Sequence, residues 1–441
     1  MYQILTIRIK GRKKRILREF METVFLLRIK LFRFLSRLAD ESHLPVFFNT
    51  YRLEKFFARN PKVDKLDFDL YSLIEKHYYA EWWKLLYELR QLPQMVVYGL
   101  VRQWVQAFKS CITKRKQGLK ASLPGVCSRP NSIAIDIDGL LLEVNNSLVT
   151  LKLSRSLKLH WKILDNVRNV TSCQIVYFRY IDELELRIRY QIQPESTNVN
   201  LQNWLSIDLG VNNLVSAVSN IGPSFIISSG WITSLLNWAY DKISTSQSFG
   251  LEKMRKRIYA YLKRRIHTNL HQLTSKIIEY CLQYSIGVIF VGQNVIDSVR
   301  NSKQNKSISK QLRWTLGKLP FGKLIQMLKV KAEKFGIHVQ LVDESYTSKA
   351  SALDDEPIKQ EIYSIRRIQR GLVKSNKNEV WNADLNACLN IAKKAKVLSS
   401  TEVKQNRHFW LRKLSNALKF TFGKLLKYSW CNQPYWLVAS S

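Results

Sequence analysis

Trp204-Leu205-Ser206-Ile207-Asp208-Leu209-Gly210-Val211-Asn212-Asn213-Leu214 holds one acid inside an otherwise apolar run. Side chains alternate along a strand, so Ile207 and Leu209 face away from Asp208. A buried, unpaired carboxylate costs roughly several kcal/mol. A bound divalent cation removes that cost. Gly210 permits a tight turn into a second strand. Strands are expected over 204–211, 213–220 and 224–229, an antiparallel meander.

Downstream, a helical zone with a break near 246–250 runs to residue 284. The short apolar run 286–291 reads as a buried strand, 317–335 as a helix entered at Pro320, 337–342 as another buried strand, and 382–395 as a helix. Three antiparallel strands followed by αβαβα is the element order of the ribonuclease H fold, with a mixed five-stranded sheet ordered 3-2-1-4-5.

That order brings further acids into view. Strand four lies beside strand one and ends Phe290-Val291-Gly292-Gln293, without an acid. Strand five ends Val342-Asp343-Glu344, and the longer Glu344 has the reach to cross the vacancy at Gly292. Asp384 falls in the first turn of the last helix, with Asn382 as its N-cap. The helix dipole alone would favour an acid there, by about 0.3–1 kcal/mol. Carboxylates converging at strand ends make a hard, oxygen-rich site suited to Mg²⁺ or Mn²⁺ rather than zinc. Two such ions about 4 Å apart activate water and stabilise a phosphodiester leaving oxygen.

Upstream, residues 1–10 read as an alternating strand, with no signal-peptide pattern after it. Helical periodicity covers 11–118, and its aromatics between 77 and 108 recur at core-packing spacing. Runs at 132–137, 140–144, 148–153, 172–180 and 184–190 read as short strands of a small β-barrel, closed by the first strand. The chain is thus expected to be multidomain α+β, an N-terminal helical bundle inserted in a small β-barrel ahead of the ribonuclease H-like domain. The boundaries are 1–10 and 119–200 for the barrel, 11–118 for the helical insert, 203–295 and 317–396 for the α/β domain, 345–381 for a basic insertion, and 397–441 for a basic tail with one amphipathic helix.

Charge indicates the partner. The 441 residues carry 70 Lys+Arg against 34 Asp+Glu, a net +36 that calls for a polyanion. The longest apolar candidate, 24–35, is broken by Arg28, Lys30 and Arg33, so no spanning helix and no membrane partner are expected. The six cysteines, Cys111, Cys127, Cys173, Cys281, Cys388 and Cys431, form no CxxC, which speaks against a zinc ribbon and a disulfide framework. A reducing compartment is the default. Phosphate-contact candidates are Arg12, Lys13, Lys14 and Arg15, then Arg255, Arg257, Arg264 and Arg265, then Arg366, Arg367 and Arg370.

At these residues the sequence resembles the transposon-encoded TnpB (OrfB) family, RNA-guided nucleases related to type V CRISPR effectors. The run from Ser206 to Leu214 is similar to their first RuvC motif, and Asn382-Ala383-Asp384-Leu385-Asn386-Ala387-Cys388-Leu389-Asn390-Ile391 to their third. Glu344-Ser345-Tyr346-Thr347-Ser348-Lys349 resembles the segment ahead of the family's zinc ribbon. Two departures stand out. Gly292 occupies the usual second-motif glutamate position, and the resemblance passes that role to Glu344, as in other members with a glycine there. Lys349-Ala350-Ser351-Ala352 replaces the first zinc cysteine pair, so no zinc is expected and 345–381 is a degenerate, basic remnant.

The resemblance implies a catalytic and metal-binding trio of Asp208, Glu344 and Asp384 using Mg²⁺, with Mn²⁺ as a substitute. It implies a noncoding guide RNA and a target DNA duplex bearing a short adjacent motif. Base pairing would read the sequence and the protein the backbone. A cytoplasmic, nucleoid-associated place in a prokaryote follows. Two other readings remain at this stage: a nuclease-inactive RNA-guided DNA binder, suggested by Gly292 and the lost cysteines, and a transposase.

Overall fold

The computed structural model describes residues 2–42, 44–124, 132–137, 142–145, 148–152, 158–162, 170–191, 197–293, 309–354, 356–359, 365–369, 371–375 and 377–430. Two compact units divide the chain, residues 2–192 and residues 193–441.

In the first unit the strands are β1 (Tyr2–Ile9), β2 (Ser132–Ile137), β3 (Leu142–Asn145), β4 (Leu148–Lys152), β5 (Lys158–Lys162), β6 (Val170–Phe178) and β7 (Glu183–Gln191). β1 pairs antiparallel with β7, and the order is β1-β7-β6-β2. The expected barrel is not seen as a closed sheet among the described residues. Among the described residues the strands form that four-stranded sheet and a separate three-stranded sheet, β3-β4-β5. The unforeseen β5 pairs Trp161 with Val149 and Leu159 with Leu151, completing an independent meander.

Between β1 and β2 lie the helices Gly11–Ser42, Thr50–Phe56, Phe68–Leu73, Tyr79–Leu89 and Gln94–Lys116. Leu17, Met21, Val24, Leu31, Leu35 and Leu38 make one buried stripe along the first, at helical spacing. Asn49 and Asp67 cap the second and third, their side-chain oxygens accepting the Arg52 and Leu70 backbone N–H groups. The aromatics serve the core. Trp82 and Trp104 are buried, Trp82 donates its indole N–H to the Phe56 carbonyl, and Trp104 stacks on Phe108 with centroids 4.9 Å apart.

The second unit is built on one sheet. Its strands are β8 (Asn200–Asp208), β9 (Asn213–Ser219), β10 (Phe225–Ser228), β11 (Ile286–Gly292), β12 (His338–Val342) and, later, β16 (Leu418–Phe420). The order β12-β11-β8-β9-β10-β16 contains the expected 3-2-1-4-5, but with a sixth strand. β16 comes from the tail, where a single amphipathic helix had been expected. The helix Arg407–Ser415 stops at Asn416, and Leu418 to Phe420 then pair in parallel with the open edge of β10. An unpaired edge is a template for such an addition. The helix expected over 317–335 is likewise two helices, Lys310–Lys318 and Phe321–Lys334, separated by Leu319 and Pro320. Proline lacks the N–H to continue a helix and drives the residue before it out of the helical region.

Each face of the sheet has its own core. Leu205, Ile207 and Leu209 meet residues of the helices Gly230–Ser248, Glu252–Gln283 and Phe321–Lys334. Trp204, Phe290 and Val342 meet the helix Ala383–Lys394 and Trp410. A small antiparallel sheet, β13 (Arg366–Gln369), β14 (Leu372–Lys374) and β15 (Val380–Asn382), leads directly into Ala383–Lys394. Among the described residues no helix is long and apolar enough to cross a membrane.

Candidate carboxylate site

Alternation in three parallel strands builds the site. Trp204, Ser206 and Asp208 share one face of β8, opposite Leu205, Ile207 and Leu209. In the register with β11, Val291 lies beside Ile207, so Gly292 lies beside Asp208. In the next register Gly292 pairs with Val342. Glu344 stands two residues beyond Val342, on the same face. One face at the carboxyl ends of β8, β11 and β12 therefore carries an aspartate, a bare glycine and a glutamate.

The glutamate occupies the space that the glycine leaves. A Cβ built on Gly292 would collide with the Glu344 carboxylate oxygen Oε2, and would stand 3.2 Å from both Glu344 Cδ and Ile391 Cδ1. No side chain larger than hydrogen fits at 292 while Glu344 keeps this position.

Asp384 approaches from the other direction. Asn382 accepts the backbone N–H groups of Asp384 and Leu385 at 2.9 and 3.1 Å, fixing the first turn of Ala383–Lys394. Asp384 Oδ2 accepts a hydrogen bond from Asn213 Nδ2 at 2.6 Å. Further along, Ser206 Oγ donates to the Cys388 carbonyl at 2.6 Å and Cys388 Sγ to the Ser216 carbonyl at 3.0 Å, pinning the helix across β8 and β9. Asp384 and Ile391 are seven residues apart on this helix, about 10 Å of rise. Glu344, beside Ile391, and Asp384 thus flank Asp208 on two sides.

Asp208 registers both neighbours. Burial first, then the negative charges of Glu344 and Asp384, push its carboxyl well above the usual carboxylate range. Three carboxylates sharing one end of a sheet offer the hard oxygen donors that Mg²⁺ prefers. Among the described residues, however, no group of three or more His, Cys, Asp or Glu side chains stands ready to hold a metal ion. The structure carries no metal ion, and the chemistry of the three carboxylates, hard oxygen donors that act on one another, fits a divalent cation.

Sequence reasoning missed the scaffold behind the trio. Buried Asn386 accepts from the Ala352 N–H at 2.9 Å and the Trp381 indole at 3.1 Å, and donates to the Ala350 carbonyl at 2.8 Å. Buried Asn390 donates to the carbonyls of Thr347 and Ala350, each at 2.8 Å. The signal was present: Asn382, Asn386 and Asn390 recur every four residues on an otherwise apolar helix. Arg407 ties the same region together, bonding the Leu353 carbonyl at 2.6 Å, Asp354 at 2.8 Å and the Glu379 carboxylate.

The basic candidates divide. Arg12 and Arg15 are exposed, but Lys13 donates to the His160 carbonyl and Lys14 pairs with Asp182 at 2.6 Å, so these two serve the fold. Arg257 and Arg265 are exposed on Glu252–Gln283, with Arg255 and Arg264 half-buried. Arg366 and Arg367 are exposed on β13. Arg370, Cys127 and Cys431 lie outside the described residues.

A protein of this mixed α/β, multidomain kind, with acids gathered at one sheet end, can be set beside known proteins. A family model described as "Probable transposase" (OrfB_IS605) matches residues 187–297, and one described as "Cas12f1-like, TNB domain" matches residues 321–391. "TnpB-like protein ORF457" of Acidianus two-tailed virus is 26% identical over 266 residues, 56% of this chain and 55% of the relative. The chain therefore spans about half the length of that curated relative. Among solved structures, a Cas12f1–sgRNA–target DNA complex is similar over 84% of this chain and 82% of that one, at 11% identity and a TM-score of 0.48. A CRISPR–Cas12f ternary complex is similar over 85% and 81%, at 12% identity and a TM-score of 0.33. The two family models thus match separate stretches that lie almost wholly in the second unit, and the TnpB-like relative is similar over about half of the chain.

Proposed function

We propose that the protein is an RNA-guided DNA endonuclease of a transposable element, hydrolysing phosphodiesters at a RuvC-like site formed by Asp208, Glu344 and Asp384. The observation that carries this reading is the Glu344 carboxylate filling the space above Gly292, next to Asp208. An acid lost from one strand is replaced in space by an acid from the next. Such a substitution has a purpose only if the carboxylate count at that point matters.

Asp208, Glu344 and Asp384 would hold Mg²⁺ or Mn²⁺. Bound there, the metal supplies a nucleophilic water and neutralises the leaving oxygen. This chain's own residues set the geometry. Asn213 and Asn382 fix Asp384, the Ser206–Cys388 bond fixes the helix against β8, and Asn386 and Asn390 hold the segment after Glu344. The net charge of +36 suits a guide RNA and a target DNA.

A second reading, an RNA-guided DNA binder without nuclease activity, is motivated by Gly292 at the second-motif position and by Lys349-Ala350-Ser351-Ala352 in place of the first cysteine pair. Purified protein with its copurified RNA, incubated with guide-matched plasmid and Mg²⁺, separates the two. The first reading expects cutting that Asp208→Ala abolishes. Binding without cutting supports the second, and cutting that survives Asp208→Ala overturns the site.

A further inference from the structure

One guanidinium meets both arms of the candidate acid site. Arg407 opens the helix Arg407–Ser415, in the segment read from sequence only as a basic tail. Its Nη1 donates to the Leu353 carbonyl at 2.6 Å and its Nη2 to Asp354 Oδ1 at 2.8 Å. Nη2 also donates to Glu379 Oε2, and Nε reaches Glu379 Oε1 at 3.4 Å. Both oxygens of Glu379 thus face the planar fork, a two-point geometry that arginine makes and lysine does not. Asp354 is used on both sides as well, since its Oδ2 accepts from Ser351 Oγ at 2.7 Å. Arg407, Asp354 and Glu379 keep only 21%, 19% and 25% of their side-chain surface exposed, so solvent screens these pairs less than pairs on an open surface.

These partners stand at the two ends of the basic insertion. Leu353 and Asp354 close a run of turns that starts at Glu344. Within it Thr347 donates its N–H and its hydroxyl to the Glu344 carbonyl, at 3.2 and 2.8 Å, and the Ala350 N–H returns to the Tyr346 carbonyl at 3.2 Å. Glu379 directly precedes β15, whose last residue, Asn382, caps the helix that carries Asp384. No cysteine lies between residues 345 and 381, so no thiolate staple closes this neck. The tail helix is itself fixed to the main sheet. Trp410 stacks on Trp204, centroids 6.0 Å apart, on the face of β8 that carries Asp208. Lys413 donates to the carbonyls of Ser219 and Gly222 at 2.5 and 2.9 Å. A helix anchored on the sheet of Asp208 therefore grips the Glu344 arm and the Asp384 arm with one side chain.

We propose that Arg407 is a positioning residue of the candidate site: its guanidinium, in place of a metal staple, clamps the segments that carry Glu344 and Asp384 and so sets their spacing about Asp208 for a divalent cation. The proposal rests on the endonuclease reading and adds that the tail helix belongs to the frame of the site.

The test uses the full chain with its copurified RNA and measures Mn²⁺ binding from the electron paramagnetic resonance of the free ion. Binding lost in Asp208→Asn defines the share held by the acids, apart from ions on the RNA. Arg407→Lys keeps the charge and loses the fork, whereas Glu379→Gln keeps the shape and loses the charge. Each is expected to weaken the Asp208-dependent binding about 10-fold, the low end for residues that orient metal ligands. Each should raise the Mg²⁺ concentration for half-maximal cutting by a similar factor. Binding is read well below each variant's melting temperature, so that loss of folded protein does not imitate loss of affinity. Glu379→Gln, at the most exposed of the three side chains, decides the matter if Arg407→Lys does not fold. A lower melting temperature with parent-like Mn²⁺ affinity would overturn the proposal, making Arg407 a structural tie alone, and would leave the endonuclease reading standing. A parent whose Mn²⁺ binding equals that of Asp208→Asn would overturn the endonuclease reading, and this proposal with it.

Discussion

At position 292 a missing side chain opens a hole beside β11, and Glu344, two residues past the end of β12, fills it. The two positions should behave as one. Gly292→Ala should leave the melting temperature nearly unchanged, because the group it strikes is the far end of a flexible side chain. It should lower cutting by about 10²-fold, the usual effect of displacing a reacting group by roughly 1 Å. Gly292→Glu alone adds a like charge to the same space and should be worse. Gly292→Glu combined with Glu344→Gly should recover part of the activity, and single-turnover cleavage of the four proteins tests this as a double-mutant cycle. Additive losses would mean that the positions act separately.

Asp208 makes a second residue-scale prediction. Its folded pKa is raised above the unfolded value, so its contribution to stability is fully present below the unfolded carboxylate pKa and is lost as pH rises through the folded one. Metal-free protein should therefore melt at lower temperature as the pH is raised. Asp208→Asn should flatten that dependence and raise the melting temperature at the upper end. Mg²⁺ should stabilise the parent and not the variant. Parallel melting curves for the two proteins across pH would contradict the buried, mutually repelled carboxyl.

The helix Ala383–Lys394 carries more of the site than its single acid suggests. Asn386→Ala would strand the Ala352 N–H, the Trp381 indole and the Ala350 carbonyl inside the protein. A loss of about 3 kcal/mol is expected, read as a lower urea midpoint. Most elements of this unit were legible in sequence because period and punctuation agreed: the break near 246–250 separates Gly230–Ser248 from Glu252–Gln283, and the apolar run at 286–291 became β11. β16 was not legible, because Leu414, Leu418 and Leu425 keep helical spacing while the strand exists only through pairing with the edge of β10. The closure of the barrel was not legible for a related reason. Strand periodicity shows that a segment is extended and does not show which edges meet. Of the site, the acids could be read individually, whereas the Asn213–Asp384 bond joins residues 171 apart and only the fold reveals it.

On the scale of the whole molecule, charge governs. A protein of net +36 that grips a nucleic-acid backbone through about 6–10 phosphate contacts should lose about 10³–10⁵-fold in affinity between 50 and 200 mM salt. Charge reversal at exposed Arg257 and Arg265 should reduce that salt slope. The same reversal at Lys14, which is paired with Asp182, should mainly lower stability.

The central claim is that Glu344 completes the acid set of Asp208 and Asp384. Its most direct test is cleavage of guide-matched DNA in Mg²⁺ by the purified RNA-bound protein and by Glu344→Gln, with DNA binding measured alongside. The account predicts unchanged binding and cutting reduced at least about 10²-fold in the variant. Equal cutting by both proteins would contradict it.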